Sequence, residues 1–418
     1  MRKIESARLG EGYTEIRHPS GLTLLLCPME GFASAYALFA TNYGSIDAAF
    51  RLAGEKEFRR IPAGTAHFLE HKLFESEDGQ DVFERYAATG ASANAYTSFD
   101  KTAYLFGCSE NFAQSLEILL DFVTHPYFTP QTVQKEQGII GQEIRMYDDD
   151  PDWRVMFNLL GALYHNHPLA IDIAGTVDTI AQITADSLYD TYRTFYNLHN
   201  MVLAVAGNFS VEEAVAVADR VLKKAEPVRI ERKPFEEPET VRERRVEQKL
   251  EVSTPLFNIG FKGAAGDYRE NVRRQVLAEL SMELAVGEAS PLYRSLYDEG
   301  LINATFNTEA LAGPNFFACL FSGESKRPDE LFDRLLAGVG ALRGAPPDEA
   351  AFQRAKRACY GRYIGLYGNV EPMASMMVLS HFSGMGVYEP LELLSGCTAQ
   401  GCQKALEELL DPARAALS

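Results

Sequence analysis

Long apolar runs are missing from this sequence of 418 residues. A helix that spans a bilayer needs roughly 18 or more consecutive apolar residues, and the sequence contains no such segment. The first residues, MRKIESARLGEGYTEI, carry positive charge but not the apolar segment of a secretory signal. We therefore expect a protein that does not enter a membrane and that stays in the cytoplasm.

Closely spaced cysteines are missing as well. The 6 cysteines are scattered along the chain, and none forms a C-x-x-C pair. A disulfide framework or a thiolate zinc site would need closer spacing. Cys108 and Cys319 stand in apolar, strand-like runs, where a thiol behaves as a small hydrophobic side chain. The sequence favours reduced, buried cysteines over disulfides or a thiolate metal site.

Positive charge is in short supply. The sequence has 40 Lys and Arg residues against 58 Asp and Glu residues, which gives a formal net charge of −18. A protein binds the phosphate backbone of a nucleic acid through a basic face. The charge balance therefore argues against a nucleic-acid partner. It leaves open whether the acidity serves solubility or favours basic peptides.

The length and the order of patterns predict two related modules. A chain of 418 residues exceeds one ordinary domain and favours two domains of about 200 residues each. Strand and helix patterns fill the first half, and a similar order begins again after a densely charged stretch that contains prolines. We predict an α+β fold of two homologous α/β-sandwich modules, each an antiparallel-rich sheet with helices packed on one face. The expected boundaries are 1–224 for the first module, 225–246 for an exposed linker and 247–418 for the second module.

The functional prediction depends on the motif HFLEH, from His67 to His71. Its surroundings predict a helix from Gly64 to Phe74, reached through a loop from Ser45 to Pro62. In a helix, His67 and His71 share one face, with Glu70 beside them. Two imidazole nitrogens can bind zinc, and a neighbouring carboxylate can take a proton from zinc-bound water without binding the metal. The pattern H-x-x-E-H is typical of one class of zinc peptidases.

A second helix is predicted from Val133 to Met146. Glu136 and Glu143 lie seven residues apart and therefore share a face of this helix. Gly138 and Gly141 have no side chain to hold a neighbouring helix away, and close packing would compensate for the roughly 1 kcal/mol that each glycine costs a helix. Two closely packed helices would bring Glu143 to the two histidines. This completes a set of three ligands and leaves the fourth zinc position for water.

Two simpler interpretations of these residues stay open. The motif could be the polar side of an ordinary amphipathic helix. His165 and His167 form an H-x-H pair that could chelate a metal instead, although the following Pro168 and the loop-like setting favour a turn.

The chain resembles the pitrilysin, insulysin and mitochondrial processing peptidase family of zinc peptidases. In that family a helical H-x-x-E-H is followed some seventy-odd residues later by a glutamate ligand, and Glu143 stands at that distance from His71. The segment Gly90–Thr97 resembles the family's glycine turn and following strand. The segment from His167-Pro168 to Gly175-Thr176 resembles its next signature. The resemblance covers nearly the whole chain.

The resemblance implies a zinc endopeptidase that cleaves peptides or unfolded segments in an enclosed chamber. One Zn²⁺ ion per chain would be bound by His67, His71 and Glu143. Glu70 would be the general base. Glu136 resembles the family's second carboxylate and is expected to orient a ligand or the water.

The strand Asn94-Ala95-Tyr96-Thr97 is the predicted substrate-binding strand. A protease that cuts varied sequences can hold a peptide by main-chain hydrogen bonds to an exposed sheet edge, and Asn94 could add side-chain bonds to the peptide backbone. The alternative is an ordinary sheet strand.

The second module is predicted to lack a metal site. Its helix from Arg273 to Leu284, the counterpart of the motif helix, contains no histidine. Alignment of the two modules puts Arg362 opposite Glu143 and Ala355 opposite Glu136. The second module is therefore predicted to form a wall of the substrate chamber.

One departure from the family bears on the assembly. Active members usually carry an Arg and a Tyr in the second module that grip the substrate, and here Pro291 and Asn303 replace them. Tyr293, Arg294 and Tyr297 are nearby but out of register. Some bacterial members are heterodimers in which the other subunit supplies these residues. The resemblance therefore implies a homologous partner subunit, with a homodimer as the alternative.

Three functions compete at this point. The leading prediction is a zinc endopeptidase that acts as the catalytic subunit of a heterodimer. The second is a non-catalytic assembly or peptide-binding subunit that keeps the fold. The third is a metal-dependent hydrolase of a small molecule.

Overall fold

The structure, a computed structural model, describes all residues from 1 to 418. The strands are β1 (Arg2–Ser6), β2 (Glu11–Arg17), β3 (Thr23–Pro28), β4 (Ala35–Thr41), β5 (Ala49–Leu52), β6 (Arg59–Arg60), β7 (Ser92–Thr97), β8 (Thr102–Cys108), β9 (Met201–Gly207), β10 (Ile230–Arg232), β11 (Leu256–Lys262), β12 (Asn307–Gly313), β13 (Phe316–Glu324) and β14 (Ala415–Leu417). The helices are α1 (Thr65–Lys72), α2 (Val82–Thr89), α3 (Phe112–Thr124), α4 (Pro130–Asp148), α5 (Pro151–Leu163), α6 (Val177–Ile180), α7 (Ala185–Phe195), α8 (Val211–Val221), α9 (Tyr268–Val286), α10 (Pro291–Asp298), α11 (Pro328–Arg343), α12 (Glu349–Tyr367), α13 (Val370–Ser383), α14 (Glu389–Gly396) and α15 (Ala399–Leu409). None of the helices combines the length and the apolar character needed to cross a membrane.

The strands form three sheets. A seven-stranded sheet has the order β1-β2-β3-β9-β4-β8-β7, in which only β3 and β9 run parallel. A four-stranded sheet has the order β12-β13-β11-β14 and is antiparallel throughout. A small third sheet has the order β10-β5-β6.

Four strands of the large sheet are repeated by the four-stranded sheet. The first set has the order β9-β4-β8-β7 and the second has β14-β11-β13-β12, with antiparallel neighbours in both. The strands of each set also follow one another in the same chain order, so that α1 corresponds to α9 and α4 to α12. This topology confirms the predicted fold of two homologous α/β-sandwich modules.

Side-chain character explains which strands are central. β4 (AYALFAT) and β9 (MVLAVAG) are buried along their whole length, as expected of strands covered on both faces. β7 (SANAYT) is partly exposed, and it pairs only with β8. The large sheet therefore ends in a polar edge strand, and α1 packs against this strand.

Two compact units are distinguished by backbone contacts within the chain. The first consists of residues 1–144, 172–234 and 366–382, and the second of residues 145–171, 235–365 and 383–418. Helix α5 thus belongs to the second unit although it comes from the first half of the sequence, and most of α13 belongs to the first unit although it comes from the second half. The module boundaries expected from the repeat stay a prediction.

The core of the second unit follows the alternation of its strands. Phe257, Ile259 and Phe261 of β11 are buried in one hydrophobic cluster, and so are alternate residues of β13. Residues i and i+2 of a strand point to the same face. The same cluster includes Met282 of α9 and Leu335 of α11, so these helices cover that face of the sheet.

Two stretches are more structured than the sequence indicates. The predicted loop Ser45–Pro62 contains β5 and β6, so that prediction was wrong in part. The strands are 4 and 2 residues long and thus too short to show apolar alternation. A cross-strand pair of Arg51 and Glu231 links β5 to the distant strand β10. The charged stretch predicted to be an exposed linker also contributes Glu237 to a buried ion pair with Lys262 of β11, whose Nζ lies 2.6 Å from the Oε1 of Glu237.

Candidate metal centre

Helix α1 carries the two histidines on one face. It begins at Thr65 and ends at Lys72, within the predicted span. Gly64 precedes it with a φ of 89°, and a Cβ at this position would lie 2.4 Å from the backbone oxygen of Ala174, so only glycine fits. The rings of His67 and His71 have their centroids 4.6 Å apart. The expected side-by-side arrangement of the imidazoles is present.

Helix α4 brings two carboxylates to the same place. The Oε1 of Glu143 lies 3.7 Å from the Nε2 of His67, and its Oε2 lies 3.5 Å from the Nε2 of His71. Glu136, two turns earlier on the helix, accepts a hydrogen bond of 3.1 Å from the Nδ1 of His71. The structure therefore brings together the three predicted ligands and the predicted second carboxylate.

The donor atoms lie close enough together to hold one metal ion. One donor atom each from His67, His71 and Glu143 lie within 4.8 Å of one another. Ligand atoms of a tetrahedral zinc site with bonds of about 2.0–2.1 Å lie about 3.4 Å apart. The nitrogen–oxygen separations of 3.5 and 3.7 Å are close to that value and are long for hydrogen bonds. Two imidazoles and a carboxylate are also a donor set that suits zinc.

The two histidines are oriented in different ways. The Nδ1 of His71 is hydrogen-bonded to Glu136, which leaves its Nε2 directed at Glu143. The Nδ1 of His67 is buried and has no hydrogen-bond partner in the protein. His71 is thus held by a carboxylate, whereas His67 is held by its packing in α1.

Burial and neighbouring charges set the protonation of the site. Burial, together with the charge of His71, lowers the pKa of His67 to about 4, so that this imidazole is neutral near pH 7. Burial opposes ionisation of both His71 and Glu136, but their mutual hydrogen bond and the nearby charges outweigh it, which raises the pKa of His71 and lowers the pKa of Glu136. An ionised Glu136 is the acceptor that the Nδ1–H of His71 needs.

Glu70 directly precedes His71 on α1. Its Oε2 accepts a hydrogen bond of 2.6 Å from the hydroxyl of Thr97. Burial raises the pKa of Glu70. The hydrogen bond from Thr97 and the charge of His71 oppose this rise, and the charge of Glu143 adds to it. A carboxylate in this position and state can accept a proton from water at the site.

The predicted substrate-binding residues belong to the edge strand β7. Asn94 is exposed, whereas Ala95, Tyr96 and Thr97 are half-buried. The backbone N–H of Ala95 donates to the Oδ1 of Asn94 at 2.9 Å. Because this N–H donates to a side chain and not to a carbonyl of β8, it faces the open edge of the sheet. Backbone groups at such an edge can bind an extended peptide.

The explanation that glycines bring α4 close to α1 was wrong. A Cβ added to Gly138 or to Gly141 would meet no atom within 4 Å. Instead Val133, Ile140 and Ile144 are the buried apolar residues of α4. The helix is therefore positioned by its branched side chains and by the contacts of its glutamates with the histidines.

The rival histidines have other contacts. His167 is buried, and its Nδ1 accepts a hydrogen bond from the backbone N–H of Leu169. The backbone N–H groups of His165, Asn166 and His167 all donate to the carboxylate of Glu237. This segment is a turn around a buried carboxylate, and neither histidine belongs to the cluster that could hold a metal ion.

The corresponding helices of the second unit are joined by an ion pair. The Nη1 of Arg362 on α12 lies 2.8 Å from the Oε2 of Glu283 on α9. Alignment of the modules had put Arg362 opposite Glu143, so a guanidinium group in an ion pair occurs where the first unit has a candidate ligand.

The two residues that depart from the family have structural contacts. Pro291 is the first residue of α10, directly after Ser290, whose hydroxyl caps the helix. The amide of Asn303 donates to Glu324 and accepts from Thr305. Both residues therefore stabilise local structure in the second unit.

Sequence reasoning missed one buried charge next to the motif. Lys72 follows His71 directly, its side chain is fully buried, and it forms an ion pair with Glu75. Its position four residues after the buried Phe68 is the signal that could have identified it.

Two family models match the chain. One, described as Insulinase (Peptidase family M16), matches residues 59–177, which contain α1 and both glutamates of α4. The other, described as Peptidase M16 inactive domain, matches residues 182–359. Together they cover more than half of the chain.

Individual proteins are similar over nearly the full length. An uncharacterized zinc protease of Bacillus subtilis (strain 168), YmfH, is 38% identical over 416 residues, which are 98% of this chain and 96% of that protein. The crystal structure of an M16-like peptidase from Alicyclobacillus acidocaldarius has a TM-score of 0.93 at 35% identity and covers 97% of both chains. A protein of Arabidopsis thaliana named "Probable mitochondrial-processing peptidase subunit beta" is 28% identical over 222 residues, 51% of this chain and 42% of that protein.

Proposed function

The chain belongs to the M16 peptidase family, and we propose that it is a zinc-dependent endopeptidase. One Zn²⁺ ion per chain is bound by His67, His71 and Glu143. The observation that supports this proposal is that donor atoms of these three residues lie within 4.8 Å of one another. The carboxylate of Glu70 is near enough for the charges of His71 and Glu143 to act on it. The names of relatives such as the zinc protease of B. subtilis support the choice of metal.

The residues around the metal divide the chemistry among them. Zinc, when bound, lowers the pKa of a coordinated water towards 7 and polarises the peptide carbonyl. Glu70 accepts the proton of the water and passes it to the leaving amine. Its raised pKa suits a group that must both take and return a proton. Glu136 keeps the Nδ1–H of His71 occupied, so that the Nε2 of this residue stays directed at the metal.

The substrate is a peptide or an unfolded segment that adds to the edge strand β7. Main-chain hydrogen bonds to Ala95, and side-chain bonds from Asn94, hold it there without regard to its sequence. The bond between Asn94 and the N–H of Ala95 opens when a peptide takes its place. Tyr96 and Thr97 complete this strand. The second module, from residue 247 onwards, forms the wall of an enclosed chamber.

A homologous partner subunit completes the active enzyme. Some relatives are named as subunits, including the mitochondrial-processing peptidase subunit beta of A. thaliana. Pro291 and Asn303 have structural contacts and cannot grip a substrate as an Arg and a Tyr would. We propose that the partner supplies these two residues, and that the enzyme acts in the cytoplasm. A homodimer of this chain is the alternative assembly.

A non-catalytic assembly or peptide-binding subunit is the competing function. The match of the second half to a model described as an inactive domain favours it. The three closely spaced donor atoms disfavour it, because a scaffold gains nothing from a carboxylate beside two histidines.

Metal analysis followed by cleavage assays separates these functions. The purified chain, with and without a co-expressed subunit of the same fold, is analysed for zinc and incubated with a quenched fluorescent peptide library. The proposal predicts one zinc per chain and cleavage that stops when zinc is removed and resumes when it is restored. Zinc-free protein that binds peptides without cutting them would favour the non-catalytic subunit. Hydrolysis of small esters or amides without cleavage of peptides would favour a small-molecule hydrolase.

A further inference from the structure

We propose that Thr97 orients Glu70, and that it thereby links the substrate-binding edge strand to the general base. The inference rests on the proposed role of Glu70 in peptide hydrolysis. Thr97 is a positioning residue in this scheme, because it acts through Glu70 and does not touch the reacting atoms.

The contact between the two residues is short and direct. The hydroxyl of Thr97 donates to the Oε2 of Glu70 at 2.6 Å. Hydrogen bonds from a hydroxyl group to a carboxylate have lengths of about 2.5–2.7 Å and are stronger than those between neutral groups. A bond of this kind selects one orientation of the Glu70 carboxylate among those that its side-chain torsions allow.

Thr97 is the fixed member of the pair. It is paired across the β7–β8 ladder with Thr102. The turn that follows it is closed by a bond from the N–H of Ser98 to the oxygen of Lys101, and the N–H of Ser45 donates to the oxygen of Ser98. A threonine side chain is also stiff at χ1 because it is branched at Cβ. The longer side chain of Glu70 therefore takes its orientation from Thr97, and not the reverse.

The alternation of β7 gives Thr97 this role alone. Side chains of residues 93, 95 and 97 point to one face of a strand, and the contact with Glu70 shows that this face is turned to α1. Ala93 and Ala95 have no donor group on their side chains. Thr97 is thus the residue of this strand face that can hold the base.

The same strand presents its backbone to the substrate. The outward N–H of Ala95 stands two residues before Thr97. A peptide that pairs with β7 therefore binds to the strand that also fixes Glu70. The base and the peptide bond to be cut take their positions from one rigid element, which favours a reactive geometry.

Three variants of the full chain test this role. Thr97→Val removes the hydroxyl and keeps the branched shape, whereas Thr97→Ser keeps the hydroxyl. Thr102→Val is the matched control, because Thr102 lies directly opposite, and its hydroxyl donates to the backbone oxygen of Tyr43 and not to Glu70. Kinetics are measured on a quenched peptide, with the partner subunit present if activity requires it, and zinc content is measured for each variant.

We expect Thr97→Val to lower kcat by about 10- to 100-fold, because misplacement of a catalytic group by about 1 Å costs up to that factor. KM and zinc content should stay at the values of the wild-type protein. Thr97→Ser should restore most of kcat, and Thr102→Val should leave kcat near its original value. Equal kcat in Thr97→Val and the unchanged chain, or equal losses in Thr97→Val and Thr97→Ser, would overturn the proposal.

A readout that does not depend on activity is the position of the Glu70 carboxylate in crystal structures of these variants without zinc. The proposal predicts a displaced or split carboxylate in Thr97→Val and an unchanged one in Thr97→Ser. An unchanged carboxylate in Thr97→Val would overturn it. Full activity of Glu70→Gln would reject the proposed role of Glu70 as the general base. In that case the crystal structures of the Thr97 variants would still decide whether Thr97 orients the Glu70 carboxylate.

Discussion

The Nδ1 of His71 and the Oε1 of Glu136 lie 3.1 Å apart, within hydrogen-bonding distance, although the two residues come from different helices. The bond occupies one ring nitrogen of His71 and leaves the other 3.5 Å from Glu143. Zinc-binding histidines usually donate their second ring nitrogen to a carboxylate or carbonyl in this way. The contact thus distinguishes His71 from His67, whose Nδ1 has no such partner.

Replacing Glu136 with Gln should weaken zinc binding without abolishing it. A neutral amide is a poorer acceptor for the Nδ1–H of His71, and loss of such outer partners typically lowers metal affinity by about 10- to 100-fold. Competition with a chelator of known affinity measures the change. Glu288, an exposed glutamate, provides the control Glu288→Gln. Unaltered zinc affinity in Glu136→Gln would show that Glu136 does not support the metal ligand His71.

Replacing Glu143 with Gln should remove zinc from the purified chain. An amide is a weaker ligand than a carboxylate, and the two histidines alone leave the site with two protein ligands. The zinc content of the dialysed protein measures this, and circular dichroism verifies that the variant is folded. We expect a larger loss of affinity than in Glu136→Gln. A full equivalent of tightly bound zinc in Glu143→Gln would show that another residue is the third ligand.

The buried pair of Glu237 and Lys262 should contribute strongly to stability. The side chains are 6% and 2% exposed, and Glu237 also accepts three backbone N–H bonds. Removing one member of a buried ion pair typically costs about 3–5 kcal/mol. We expect Glu237→Gln to lower the free energy of unfolding by about that amount in urea denaturation. The neighbouring exposed Glu236→Gln serves as the control, and equal stability of the two variants would contradict the prediction.

A partner subunit should raise peptidase activity far above that of the chain alone. The reason is that Pro291 begins a helix and Asn303 bonds within its own turn, so neither offers a cationic or phenolic group to a substrate. The measurement compares cleavage rates of the isolated chain and of its complex with a homologous subunit that carries Arg and Tyr at these positions. High activity of the isolated chain as a homodimer would reject this assembly.

The fold and the clustering of His67, His71 and Glu143 could be predicted because their signals are local or repeated. The spacing of His67 and His71 follows from helical geometry, and the second module repeats the strand order of the first. Glu143 was placed by the resemblance to a family as well as by its shared face with Glu136. The close approach of α4 was explained wrongly, because a Cβ added to either glycine of that helix would meet no atom within 4 Å.

Other features could not be predicted because they depend on contacts between distant parts of the chain. The hydrogen bond from Thr97 to Glu70 joins a strand to a helix, and no pattern in either segment indicates it. The strands β5, β6 and β10 are only 4, 2 and 3 residues long, so they are too short to show the alternation that identifies a strand. The membership of α5 in the second compact unit likewise has no local signal.

The central claim is that Glu70 moves protons at a zinc ion held by other residues. The most direct test is a paired measurement of zinc content and peptide cleavage in Glu70→Gln, with the partner subunit present if cleavage requires it. Our account predicts zinc at the level of the unchanged chain and a loss of kcat of at least about 100-fold, since general acid–base catalysis contributes about 10²–10⁴-fold. Undiminished cleavage by Glu70→Gln, with zinc in place, would contradict it.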